Sequence, residues 1–508
     1  MLLSAREVRL ISHIFGLLLV LAPLYGDDPF QHEPRMVDLN VVAIDNHGQM
    51  VTDLTRDELG VTDSGKPQSI AFFRHRDSGS GLIPALEPGE FSNRSAGNIP
   101  RATLILFDLM NEKFGTRGLA ANRLVHDLES LETADFVYLY LLTLDGRLYP
   151  VHGLPGVRPE SSPAGGAPWT RQIKPLLDQA MRAVLQTRPV DMDVAVRVQL
   201  TYMALDEIAV ALSRVPGRKS IVWITDGVPI ELGPNRSDTG DYVDFTPLLR
   251  QMSETFDRSG VAIYPVRQVM IGSPDNVDGA NRSGISSIET LDQFAGMTGG
   301  RPDAGKDIAA ALRQAIIDTR TSYQIGYFPP EKNWDDKFHK LRLTCTRKGV
   351  RIQAKTGYYA WREAPGAKSE QAIGSVVSTT FDAAEIGLRA RLSPGPNGSR
   401  TARLDAHIDA QDVALVHEGD FYDAQLRFAV VGYSQGVQPQ TGPVTPLDLH
   451  YSAQDRDKAL QQGIGVVQNL NLPEEIKAVR LIVFDRGSNA IGSVTVPVPE
   501  AAPGKPNP

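Results

Sequence analysis

The stretch ATLILFDLMNEKF, Ala102 to Phe114, is an apolar strand-like run that ends at an acid, Asp108. A carboxylate at the carboxyl end of a buried strand is where open α/β sheets hold ligands, so Asp108 is the first residue whose type and position suggest chemistry. Three other strings invite an enzymatic reading. Gly300-Arg-Pro-Asp-Ala-Gly305-Lys306 has the spacing of a phosphate loop, but Asp307 stands where Ser or Thr should bind Mg²⁺ and no apolar strand leads in. We read it as a turn before a helix with Asp307 as N-cap. Asp238-Thr-Gly240 and Asp63-Ser-Gly65 imitate the paired aspartates of acid proteases, yet both lie in polar, turn-like surroundings. The ten histidines are scattered, with no H-E-x-x-H and no G-x-S-x-G, so His126 and His152 are expected to be ordinary surface or core residues. Cys345 is the only cysteine, which excludes an intramolecular disulfide and Cys-rich zinc sites. It is expected as a small, buried strand residue.

The elements that would position Asp108 follow from hydrophobic pattern. At 508 residues the chain suggests about three domains. Charged residues at 22% and apolar ones at 42% mark a globular protein. A formal charge of -8 argues against a general nucleic-acid-binding role, and the basic run TRKGVRIQAK reads as a strand pair with a solvated face. Arg6 and Arg9 before ISHIFGLLLVLAPLYG resemble a signal peptide over 1–26, cleaved near Gly26; left uncleaved, this segment would be the one membrane attachment.

Alternating apolar residues and turn signals place an N-terminal β module over 36–76, then a Gly/Ser/Pro-rich linker over 77–101. Between 102 and 321 short apolar runs alternate with amphipathic segments: Leu104–Phe107, Phe136–Leu142, Ile221–Thr225 and Val261–Val266 as strands, and six helices, the third over Val194–Leu212. Such alternation predicts an α/β domain with a doubly wound, mostly parallel sheet. Strands return over 322–361, expected to complete one sandwich with 36–76, and a further β-sandwich-like domain spans 375–499. The tail 500–508 is expected to be disordered.

LILFDLMN, GRKSIVWITDGVP after a long helix, and YQIGYFPP with the following KFHKLRLTCTRKGVRIQAKTGYYA together resemble von Willebrand factor A-related domain proteins of the acidobacterial type. The opening VDLNVVAIDNHGQMVTDLTRDELGVTDSGKPQSIAFF resembles their N-terminal module, so the likeness covers about 36–361. The N-terminal segment implies an exported protein, periplasmic, cell-surface or extracellular, and the resemblance implies a bacterial protein that serves adhesion or assembly rather than catalysis. The resemblance also implies a Mg²⁺ site at the sheet's carboxyl edge: Asp108 matches the first acid of D-x-S-x-S and Asp226, in ITDG, the last. The two Ser positions fall on Met110 and Glu112, and a thioether is a poor Mg²⁺ ligand. Asn111 or Glu112 would supply replacement oxygens, with Thr201 the nearest threonine for the remaining ligand. The expected site is therefore degenerate, with no firm cofactor and at most a weak divalent cation. Expected partners are a protein or an envelope polymer. A metal-assisted hydrolase of an envelope substrate and a structural envelope component are the alternatives, the first lacking any evident general base.

Overall fold

The computed structural model describes residues 8–10, 36–77, 86–94, 101–111, 114–131, 136–154, 169–185, 194–213, 215, 218–228, 231–232, 243–267, 287–301, 307–362, 372–374, 376–377, 382–395, 401–434 and 438–499. Strands dominate, and most pair antiparallel. Among the described residues, parallel pairing is confined to one five-stranded sheet and to Val8–Leu10 lying on Ile464–Asn471.

That five-stranded sheet runs in the order Val261–Val266, Lys219–Ile224, Thr103–Asp108, Val137–Leu142, Leu148–His152. The first four strands are parallel; the last turns back through Asp145 and Gly146 as an antiparallel hairpin, so the sheet is mixed. Four helices occur in its connections, α1 (Phe114–Glu129), α2 (Ile173–Leu185), α3 (Val194–Leu212) and α4 (Thr246–Ser259), and two follow its last strand, α5 (Ser287–Thr298) and α6 (Ile308–Asp318). Strand periodicity splits the burial: Leu104, Leu106, Ile221 and Trp223 share a core with α3, whereas Ile105, Phe107, Val222 and Ile224 share another with α6.

The continuous apolar runs between 102 and 321 suggested a doubly wound, mostly parallel, von Willebrand factor A-like core as the organising architecture. The chain is instead β-rich and mainly antiparallel with one mixed sheet, and no doubly wound parallel core is evident. The sequence reading gave most weight to runs buried on both faces. The half-buried alternating strands outside that region contribute more sheets, antiparallel partly through hairpins and partly between strands nearly three hundred residues apart.

Strands before and after the central region are shared. Val37–Ile44 pairs with Thr321–Tyr327 and with Arg351–Gln353, while Leu59–Asp63 pairs with Phe338–Cys345. The two four-stranded sheets enclose Leu39, Val41, Val61, Tyr323, Ile325 and Leu341. Toward the C-terminus a sheet built on Leu388–Pro394, Thr401–Ile408 and Ile464–Asn471 packs against one centred on the 13-residue strand Phe421–Tyr433. Glu90–Ser92, inside the segment read as a linker, adds an edge strand to the former by pairing with Leu388–Pro394.

Buried polar contacts tie the mixed sheet to its neighbours. Arg218 donates to Gly299 O at 2.5 Å and Lys355 Nζ to Asp257 at 2.5 and 2.7 Å. Lys219, 1% exposed, lies 3.6 Å from Glu385 on the segment entering the C-terminal sheets. Of the phosphate-loop-like string, residues 302–306 lie outside the described residues; at its ends a side chain at Gly300 would collide with the Ile263 carbonyl, and Asp307 caps α6 by accepting from Ala309 N at 3.0 Å.

Candidate functional site: two buried carboxylate networks

Register brings the first network together. Phe107 pairs with Ile224, so the carboxyl ends of two parallel strands lie level. Side chains alternate, which puts Asp108 on the same face as Leu104 and Leu106, and Thr225 on the same face as Ile221 and Trp223. Thr225, rather than Asp226, therefore reaches Asp108. Its Oγ1 donates to Asp108 Oδ2 at 2.8 Å, and Trp223 Nε1 donates to the same oxygen at 3.2 Å. Asn111 Nδ2 donates there too at 2.8 Å, while Asn111 N donates to Oδ1 at 3.0 Å. The carboxylate is fully buried. Burial pushes its pKa up, opposed by the hydrogen bonds from Asn111, Thr225 and Trp223.

The other expected site residues divide. Thr201, fully buried in the middle of α3, joins through Asn111 Nδ2, which donates to its Oγ1 at 2.8 Å. That hydroxyl donates to Arg197 O at 2.8 Å in the preceding helical turn. Met110 is buried in the adjoining core, its sulfur 3.9 Å from Thr201 Oγ1. Asp226 turns away: Arg267 Nε stands 3.7 Å from its Oδ1, and its Oδ2 is enclosed without a hydrogen bond. Glu112 lies outside the described residues.

This donor set does not fit a divalent cation. Mg²⁺ and Ca²⁺ need several oxygen lone pairs directed at one point. Around Asp108 the neighbours are an indole N–H, a peptide N–H, an amide NH₂ and a hydroxyl, each spending its hydrogen on the carboxylate. Indole and peptide N–H groups donate only. Among the described residues no group of three or more His, Cys, Asp and Glu side chains is arranged to hold a metal ion.

Sequence reasoning passed over a second network, centred on Asp63. The string Asp63-Ser-Gly65 reads as a turn, but Asp63 ends the strand Leu59–Asp63 and its side chain is 0% exposed. Tyr327 and Tyr358 each donate to Oδ2 at 3.0 Å, and His339 Nδ1 lies 2.8 Å from Oδ1. His339 Nε2 in turn lies 3.2 Å from Asp335 Oδ1. Burial, reinforced by the neighbouring carboxylate, pushes both phenols above their ordinary range, which keeps them as donors. These contacts contain no Ser or Cys nucleophile, so the histidine between two acids serves no evident acyl transfer.

His152 is similarly quiet. Its ring is stacked between Tyr138 at 5.7 Å and Trp169 at 4.4 Å, and burial lowers its pKa to about 4. The imidazole is neutral at neutral pH and sandwiched between aromatic faces.

Asp108 and Asp63 are thus saturated from within. No family model matches the chain. Nor does any curated protein.

Proposed function

We propose that the chain is a non-enzymatic binding or assembly protein acting through its surfaces, exported and engaging a protein or polymer of the cell envelope. The observation that carries this reading is the saturation of Asp108 by four donors, two of them incapable of ligating a metal. Such a carboxylate joins two strands, a loop and, through Asn111, a helix; it offers no open position to water or substrate. The second observation is architectural: several sheets are braced against one another by buried polar contacts, which gives a rigid support for outer surfaces. Surface breadth suits recognition, whereas catalysis needs convergent groups around a reacting atom.

Crosslinking of the exported protein in its native envelope tests the reading. Recovery of a defined partner, unchanged in amount by Asp226→Asn, is the expected result. Turnover of an envelope polymer that disappears on Asp226→Asn would replace binding by hydrolysis. Titration calorimetry with Mg²⁺, Ca²⁺ and Mn²⁺ addresses the metal separately. We expect no saturable heat; heat abolished by Asp108→Asn would overturn the assignment of a self-contained carboxylate.

A further inference from the structure

The strand Ile464–Asn471 pairs along one edge, through all eight of its residues, with Thr401–Ile408. Its other edge holds only Val8–Leu10, laid parallel with Val8 on Val466, Arg9 on Val467 and Leu10 on Gln468. Among the described residues, Ile464, Gly465, Asn469, Leu470 and Asn471 have no strand partner on that side. Open strand edges attract other chains, and proteins blunt them with prolines, charges or short length. Other outer strands of this molecule follow that rule. Pro150 and Pro265 lie on the two outer strands of the mixed sheet, and Pro67 and Arg76 on outer strands of the four-stranded sheets. Ile464–Asn471, IGVVQNLN, is long and carries neither a proline nor a charge.

Gln468 adds a second, independent observation. It is 3% exposed, and among the described residues no hydrogen bond reaches its Oε1. An enclosed acceptor is costly unless a donor meets it. Leu10, its strand partner, has no side-chain donor.

We propose that this edge is a docking site for an extended segment of a protein partner, added as a parallel strand beside Ile464–Asn471, and that Val8–Leu10 holds the place until the leader is removed. In strand addition main-chain hydrogen bonds supply affinity and alternate side chains supply specificity. The kind of occupant is read from the strand already seated there. It belongs to the segment 1–26, whose arginines and apolar run read as a cleavable leader, so cleavage opens the whole edge. While attached, that strand competes at the high effective concentration of a tethered ligand. Gln468 narrows the partner further, to a segment with a hydroxyl or amide donor opposite that position. The inference rests on the exported-binding reading and specifies its partner as a protein.

The probe is a fluorescent synthetic peptide of residues 5–13, AREVRLISH. Anisotropy should show saturable binding to the processed chain recovered from the envelope, binding to the full chain weaker by roughly tenfold or more, and none by a scrambled peptide. Hydrogen exchange should slow within 464–471 when the peptide binds. Alternate amides of an added strand face the sheet, so N-methylating Val8 with Leu10, or Arg9 with Ile11, should abolish binding in one case and spare it in the other. A peptide with Leu10→Thr should bind severalfold more tightly than one with Leu10→Val, which differs by the donor hydroxyl. Equal binding to processed and full chains, equal effects of the two methylated pairs, or valine matching threonine would each overturn the proposal. So would a chain recovered from the envelope with its leader intact, or a processed chain that dimerises through this edge. Excess peptide should displace the crosslinked envelope partner. Crosslinks that survive it would overturn the docking edge and keep the binding reading; peptide binding with no crosslinked partner would overturn the binding reading and, with it, the partner assigned to this edge.

Discussion

The Asp63 and Asp108 networks solve one problem in two ways. Each places a carboxylate out of water, where an unpaired charge is costly, and each surrounds it with donors. Around Asp108 the donors are neutral and near the ends of adjacent parallel strands, with Asn111 only three residues away. Around Asp63 they come from Tyr327, His339 and Tyr358, separated by 264, 276 and 295 residues, and one is an imidazole that also faces Asp335. The first network trims a single sheet's rim, whereas the second holds together two distant stretches of chain. Losing the second should therefore cost more of the fold than losing the first.

Asp63→Ala, the largest expected effect, leaves two phenols and an imidazole without their acceptor and should remove about 4 to 5 kcal/mol in urea unfolding. Asp108→Ala orphans the Trp223 and Thr225 donors and should cost about 3 kcal/mol. Equal losses would break the contrast, and a larger loss at Asp108 would reverse it. Single donors sharpen it further: Tyr327→Phe and Thr225→Val should each cost roughly 1 kcal/mol, because other donors remain on the same oxygen.

Asp38 supplies the counterexample, an acid short of partners. Gln324 donates to its Oδ2 at 3.1 Å, but Oδ1 is enclosed without a hydrogen bond. Burial raises its pKa to about 6, against an opposing pull from Lys355. A carboxyl whose pKa is higher folded than unfolded binds more protons when folded. Its contribution to stability is thus full below about pH 4 and is lost as pH rises through about 6. Asp38→Asn should remove that component, raising stability at pH 7 by on the order of 1–2 kcal/mol with little change at pH 4. Parallel stability–pH curves for parent and variant between pH 4 and 7 would show that Asp38 is not strained.

The two networks also differ in how far the sequence discloses them. The apolar run before Asp108 and the ITDG segment mark strand ends, and the alternation within SIVWITD already aligns Trp223 and Thr225 with Asp108 once parallel register is assumed. Matching motif positions drew the choice to Asp226 instead, whose side chain has the opposite parity. The Asp63 network was not legible, because its geometry depends on which strands pair across nearly three hundred residues. Local turn chemistry at Ser64 and Gly65 was the stronger signal there, and both residues do have positive φ. The class assignment failed for a related reason: strand-helix alternation is visible locally, but the proportion of antiparallel pairing in the whole chain depends on long-range partners.

The pairing of Val42 with Gln353 carries a consequence for biosynthesis. The opening strands emerge some three hundred residues before the strands that complete their sheets. At about 5–20 residues per second that interval is on the order of 15 to 60 seconds. Throughout it the nascent chain carries open strand edges able to pair wrongly. Folding from the N-terminus onward is therefore closed to this topology, and the middle of the chain must consolidate first. Chains truncated before Thr321 should show Val37–Ile44 open to limited proteolysis; protection there would mean that the opening strands find other partners.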